Sequence, residues 1–379
     1  MTAPASQPQA VQPAAPPRER IMSVDALRGF DMLWIVGGAD IVGALQQISG
    51  GRGPLEFLAG QLGHSPWERF TFYDLIFPLF VFLVGLSVVL SLPRMVERQG
   101  ARAAHARVLR RFVLLFVLGI IYNGGLTDRW PDVRLMGVLQ RIALCYLFTS
   151  LLFLHLKTRG LVAAFAGLMV GYWALLSFVP APGQAAVSFE PGRNLANWVD
   201  LHFLPGRSYW GSWDPEGLLS TFPAVATCLL GAFAGLLLTN ASIGKPRKAL
   251  HLIWSGAAMV VLGYLWGLQF PVIKGIWTSS YVLVAGGYSS ALLGVFFWVV
   301  DVRGHHWWAQ PFVWVGANAL TFYLLSALVP LDDLSRRLVG GSVQHALGRY
   351  GDAAVACVSL GLLIALARFM YRRRVFLRL

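Results

Sequence analysis

The chain contains about ten runs of roughly 20 mostly apolar residues, the length an α-helix needs to cross the hydrocarbon core of a bilayer. The runs lie near 24–46, 72–92, 109–125, 135–156, 161–180, 218–239, 250–268, 278–300, 311–330 and 353–371. Hydrophobic residues make up 56% of the sequence and charged residues only 13%, so the bilayer is its main solvent. The expected fold is therefore all-α, a polytopic integral membrane helical bundle of about ten transmembrane helices. Two runs are irregular: Asn123, Gly124 and Gly125 interrupt the third, and Gln140 with Arg141 sits inside the fourth.

A net charge of +13 would suit nucleic acid, but its distribution argues for membrane lipid instead. With the N-terminus in the cytoplasm, inner segments collect Arg94, Arg98, Arg102, Arg107, Arg110 and Arg111, then Lys245, Arg247 and Lys248, and finally Arg372, Arg373, Arg374 and Arg378. The longer outer loops hold fewer cations. This bias satisfies the positive-inside rule with both termini cytoplasmic. Residues 1–20, rich in Pro, Ala and Gln, read as a disordered cytoplasmic tail without the apolar core of a cleaved signal peptide. Residues 21–379 form the transmembrane domain, with external loops near 47–71 and 181–217. Cys145, Cys228 and Cys357 fall within predicted spans and show no metal-ligand spacing, so buried inert thiols are expected, with no disulfide and no metal site.

Chemistry is concentrated at 64–85, HSPWERFTFYDLIFPLFVFLVG, where a histidine, a Glu-Arg pair and an aspartate lead into an apolar span. Titratable groups at the mouth of a membrane helix are costly to keep and point to function. His64 stands ten residues before Asp74, which can hold an imidazole in one tautomer. The bland alternative is a solvated loop histidine. Asp25 and Arg28, three apart, share one face of the first helix and can pair there. Asp40 follows near its outer end behind Gly37 and Gly38, where a ligand or simply another helix can approach closely.

Arg134, Gln140 and Arg141 form a further cluster in VRLMGVLQRI at 133–142. Arg141 is too deep for an interfacial residue, so it pairs with a carboxylate such as Asp74 or lines a polar cavity. The 181–217 loop ends with Tyr209, Trp210, Trp213, Asp214 and Glu216. Aromatic platforms beside carboxylates suit an amino sugar, and equally an interfacial aromatic belt. The inner Arg and Lys residues at 94–111 and 245–248 either grip phosphates or only obey topology. Nucleotide-hydrolase and metalloprotease signatures are absent.

Taken together, SVDALRG at 23–29, His64, DLIFPLFVFLVG at 74–85, GVLQRI at 137–142, DPEGLLST at 214–221, PVIKGIWTSSYVL at 271–283, VVDVRG at 299–304 and PFVWVGANAL at 311–320 resemble the heparan-alpha-glucosaminide N-acetyltransferase family. The resemblance implies a transmembrane acetyltransferase that passes an acetyl group from cytoplasmic acetyl-CoA to an amino sugar or glycan on the external side. It implies His64 as the catalytic base or transient acyl carrier, with Asp74 orienting it. Asp214 and Glu216 would hold the acceptor's amine, and Arg28, Arg141 and Asn318 would line the path of the pantetheine arm. It further implies a small-molecule donor and acceptor, a homodimer, and residence in a bacterial inner membrane. Close relatives of the human enzyme carry an asparagine near the outer end of the first helix, where this chain reads Gly37-Gly38-Ala39-Asp40; a carboxylate such as Asp40 cannot donate to an oxyanion as an amide does. The long N-terminal luminal region of the animal enzymes has no counterpart, so catalysis would depend on the membrane domain alone. The rival class is a transporter or flippase of a sugar or glycan-lipid, whose intramembrane charges line a route; inverted repeats that would favour it are not evident in the two halves.

Overall fold

The computed structural model describes residues 21–50, 52–125, 127–329 and 331–376. The predicted tail at 1–20 lies outside them. Among the described residues the chain is helical, with no strand. In chain order the helices are α1 (Met22–Leu33), α2 (Ala39–Ser49), α3 (Pro54–Gln61), α4 (Tyr73–Tyr122), α5 (Val138–His155), α6 (Thr158–Phe178), α7 (Leu195–Phe203), α8 (Thr221–Thr239), α9 (Lys245–Gly267), α10 (Ser279–Phe296), α11 (Gln310–Gly316), α12 (Ala319–Leu328), α13 (Leu331–Val339), α14 (Ser342–Ala346) and α15 (Gly351–Arg372).

Eight helical stretches among these residues are long and apolar enough to span a membrane. The difference from the expected ten has two physical causes. The second and third predicted runs join in one 50-residue stretch, α4, broken at Gly100, whose φ of 83° no helix contains. The ninth run, 311–330, divides into the short helices α11 and α12 because Asn318 leaves helical geometry at φ −129°. A similar interruption occurs in the first span: Trp34–Gly38 is a wide π-helical turn, and Gly37 at φ 152° separates α1 from α2.

Helix contacts follow the small residues. A methyl group at Gly85 would run into the Cys228 carbonyl, and one at Gly231 into the Phe82 carbonyl, so α4 and α8 touch backbone to backbone. Gly29 and Gly316 do the same for α1 and α11 against Phe312 and Asp25. In lipid, where apolar side chains gain little by meeting one another, such close approach supplies the dispersion contact that holds helices together. The packed centre is lined by Leu27, Leu79, Phe82, Leu86, Trp277 and Tyr281. Asp301 accepts from the amides of Met22 and Ser23 and so satisfies the open N-terminus of α1. Cys145 and Cys228 are buried as expected; Cys357 is exposed, on the outward face of α15.

Candidate active site

Two cavities lie end to end along α1, α4 and α12. The larger, about 790 Å³, is lined by Val24, Asp25 and Arg28 of α1, by α4 from Phe80 to Arg94, and by Asn318, Ala319 and Leu320. The smaller, about 160 Å³, is lined by Met32 and Ile35, by α4 from Tyr73 to Phe80, by Leu320 and Tyr323, and by His64 and Lys274. Phe80 and Leu320 belong to both walls.

The larger cavity is strongly cationic. Arg28, Arg94, Arg107, Arg111, Lys245 and Lys248 line it, against the carboxylates Asp25 and Asp301. Arg28 pairs with Asp25 at 3.2 Å and donates to the Ser87 hydroxyl. The Arg111 guanidinium lies 4.7 Å from the centre of the Tyr146 ring, and its Nε is buried without a hydrogen-bond partner. Asn318 donates to the Val375 carbonyl at 3.0 Å. An anionic ligand would relieve this concentration of positive charge.

At the other end, the loop before α4 is organised around Asp74. Its Oδ2 accepts from the amides of Ser65 and Thr71, each at 3.2 Å, and from the Thr71 hydroxyl at 3.0 Å. Its Oδ1 lies 3.2 Å from His64 Nδ1 and 3.0 Å from Lys274 Nζ. Lys274 Nζ is also 3.0 Å from His64 Nδ1, so the three groups form a closed triangle. The His64 side chain is 64% exposed while Asp74 is 1% exposed, which places a solvent-reachable imidazole on a buried carboxylate. With Nδ1 committed to the triangle, Nε2 is the ring nitrogen left outside it. The imidazole also stands edge-on to Tyr73 at 4.8 Å, and the charge of Asp40, at the exposed start of α2, acts on that phenol.

Lys274 escapes a reading of the sequence by proximity because it arrives from the connection between α9 and α10, 210 residues from His64. A lone lysine among apolar residues between two spans is the signal that could have marked it. The turn that delivers it is tightly built. Trp277 N bonds the Lys274 carbonyl at 3.0 Å, Thr278 Oγ1 bonds the Pro271 carbonyl at 2.8 Å, and Trp277 holds a left-handed φ of 52°. For a tryptophan that conformation is strained and must be held by its surroundings. Its indole Nε1 donates to Thr227 at 3.1 Å. Burial lowers the affinity of the Lys274 amine for its proton, with Asp74 opposing that shift.

The structure does not join Asp74 to Arg141. Arg141 donates to the Gly217 carbonyl at 3.2 Å and to the Ser220 hydroxyl, and its guanidinium lies 5.0 Å from the centre of the Trp277 ring. A buried guanidinium this far along α5 meets the loop leading into α8 sooner than it meets α4. Its Nε and Nη1, and both amide atoms of neighbouring Gln140, are buried without hydrogen-bond partners.

Arg134, Asp214 and Glu216 form a separate brace. Arg134 donates to both oxygens of Asp214, at 2.8 and 2.6 Å, and to Glu216 at 2.7 Å. Burial pushes the Asp214 carboxyl up, but the Arg134 fork holds it below the usual carboxylate range; burial and the Asp214 charge raise Glu216. Asp200 accepts from the Leu218 amide at 2.9 Å, and its burial lifts its pKa to about 6. Trp213 stands edge-on to Trp67 of the His64 loop at 5.2 Å and beside Trp210 at 6.2 Å. Tyr209 and Trp210 are 59% and 61% exposed, so an aromatic surface extends outward from the His64 loop.

The family model for the catalytic region of heparan-alpha-glucosaminide N-acetyltransferases matches residues 20–266, which carry His64, Asp74 and the basic lining of the larger cavity. This chain belongs to the heparan-alpha-glucosaminide N-acetyltransferase family. It is 27% identical over 371 residues to the human heparan-alpha-glucosaminide N-acetyltransferase, covering 82% of this chain and 53% of the relative. Against the mouse protein of the same name, identity is 27% over 321 residues, covering 69% and 48%. The chain thus spans about half the length of these curated relatives. Lys274 and Asn318 lie beyond the segment that the family model matches.

Proposed function

We propose that the protein transfers an acetyl group from acetyl-CoA, bound in the cationic cavity at the cytoplasmic side, to an amino sugar or glycan that meets His64 from the opposite side. The observation that carries this reading is the pair of cavities stacked along α4, one ringed by cations and the other holding His64, with Phe80 and Leu320 common to both. The volume of the larger lies within the range of cofactor-sized sites. Its arginines and lysines suit the phosphates of coenzyme A, and Arg111 Nε supplies an unmet donor. Asp25, Arg28 and Asn318 border the route that the pantetheine arm would take toward Phe80 and Leu320. The concentration of positive charge at that end favours a cytoplasmic orientation.

A thioester is already activated. The protein must bring donor and acceptor together, remove a proton from the attacking nitrogen and stabilise the oxyanion. His64 is the base, or carries the acyl group transiently, and Asp74 orients its ring. The aromatic surface of Trp213, Trp210 and Tyr209 suits the faces of a sugar, with Arg134, Asp214, Glu216 and Arg141 bracing it from beneath. Asp40, acting through Tyr73, completes the acceptor's surroundings.

A transporter of a sugar or glycan-lipid is the second reading, favoured by the helix interruptions at Gly37 and Asn318 beside the two cavities. One assay separates the two: acetyl-CoA turnover by the purified protein in nanodiscs, with glucosamine and a panel of amino sugars, for wild type and His64→Ala. Transfer by wild type that disappears in the variant is expected. Equal transfer by both overturns the role of His64, and a protein that neither binds nor consumes acetyl-CoA overturns the donor.

A further inference from the structure

We propose that the Tyr323 hydroxyl is the hydrogen-bond donor that holds the oxyanion formed when the thioester carbonyl is attacked, an assignment that rests on the acetyl-transfer reading.

Attack on a thioester moves charge onto one oxygen. The attacking nitrogen's electron pair forms a bond to the carbonyl carbon, and the π pair moves onto oxygen. When that pair returns, the C–S bond breaks and the thiolate leaves, taking up the proton that the amine gave to His64. Stabilising the oxygen in between requires a donor already aimed at it, and removing one such donor slows acyl transfer by about 10²–10³-fold. The carbonyl must sit in the smaller cavity to meet His64. Of the side chains that line it, His64, Tyr73, Lys274 and Tyr323 carry a polar hydrogen, and the rest are apolar.

Three of these are committed elsewhere or carry the wrong surroundings. His64 is the base or acyl carrier itself. Lys274 Nζ lies 3.0 Å from both Asp74 Oδ1 and His64 Nδ1, on the side of the ring away from Nε2, and Asp74 balances its charge. The Tyr73 phenol lies within the field of Asp40. An ionised carboxylate there repels an oxyanion and has no hydrogen to donate. Tyr323 remains.

Its place in the fold suits the task. Tyr323 is on α12, one turn beyond Leu320, which borders both cavities. An arm that passes Leu320 from the cationic side meets Tyr323 next, in the space that His64 borders. The Tyr323 ring is stacked on Tyr122, the last residue of α4, with centroids 4.8 Å apart and planes at 13°. Stacking sets the plane of the phenol before a substrate arrives, which is the preorganisation an oxyanion donor needs. The Tyr122 hydroxyl also interacts with that of Tyr323. A phenol both donates and accepts, and its hydrogen rotates. Tyr122 can therefore donate to the Tyr323 oxygen while the Tyr323 O–H turns to the substrate, and Tyr323 gives up no proton.

The test is steady-state acetyl transfer in nanodiscs by wild type and Tyr323→Phe, with calorimetric binding of coenzyme A and thermal unfolding measured on the same samples. In the variant kcat should fall about 10²-fold, while KM for acetyl-CoA, coenzyme A affinity and melting temperature stay within about twofold or a few degrees of wild type. Incorporating meta-fluorotyrosine at position 323 restores a hydroxyl and should recover most of the lost kcat; it also serves if Tyr323→Phe does not fold. A kcat in Tyr323→Phe near that of wild type, as expected if backbone amides hold the oxygen, would overturn the proposal. So would a loss of turnover matched by lost coenzyme A binding or lost stability, or one that the fluorinated phenol does not recover. Wild-type protein that transfers no acetyl group would overturn the acetyltransferase reading and this assignment with it, whereas transfer retained in both proteins would remove this assignment alone.

Discussion

The His64 triangle and the Arg134 brace are built from the same materials, a buried carboxylate against a cation beside aromatic rings, and they do opposite things. In the brace every member is closed in: the side chains of Arg134, Asp214 and Glu216 are no more than 12% exposed, and Arg134 divides its fork between the two carboxylates. In the triangle the carboxylate and amine are sheltered, but the imidazole they hold is 64% exposed and borders a cavity. Complete satisfaction yields a fastener. A site arises where one member of an otherwise satisfied cluster is turned toward space a ligand can enter.

The sharpest way to break this contrast is to remove the exposed member. His64→Ala should reduce acetyl transfer by about 10³-fold with an unchanged melting temperature, measured with radiolabelled acetyl-CoA and by thermal unfolding in detergent. Removing the closed-in cation should reverse the pattern. Arg134→Ala leaves Asp214 and Glu216 buried and unpaired, a loss of about 3–5 kcal/mol, seen as a large fall in melting temperature. Loss of activity without loss of stability in Arg134→Ala would erase the distinction.

Away from both clusters, Arg94→Gln and Arg111→Gln should each weaken coenzyme A binding about tenfold in calorimetric titration, leaving stability near wild type. The smallest effect concerns Asp200. Its pKa in the fold, about 6, lies above the ordinary aspartate value, so its contribution to stability is full at low pH and is lost as pH rises through about 6. Asp200→Asn should therefore match wild type in melting temperature near pH 4 and gain on it by pH 7. A difference independent of pH would show that the carboxyl does not titrate in that window.

The spans could be read from the sequence because the bilayer imposes their length and polarity, and the spacing of His64 from Asp74 was visible because both belong to one loop and the helix it enters. Lys274 was not, since the contact that gives it meaning closes across 210 residues. Of the two readings of Arg141, pairing with Asp74 fails for a related reason. Its depth in the apolar run puts Arg141 inside the bundle, but the Gly217 carbonyl and Ser220 hydroxyl that receive it come from an irregular loop whose path no local pattern encodes. Asn318 shows a third kind of gap. Its run is apolar enough to span, and only the packing around α11 and α12 reveals that the helix stops there.

Phe80 and Leu320 carry a consequence beyond the ligands on either side. Two cavities that share lining residues raise the question of ion leakage, since a continuous aqueous path would discharge the voltage across a membrane. An ion crossing between these two side chains would have to shed its water against hydrocarbon. On the proposed function, an uncharged thioester arm would face no such toll, so two apolar side chains at this point would favour the passage of the reacting group over that of ions.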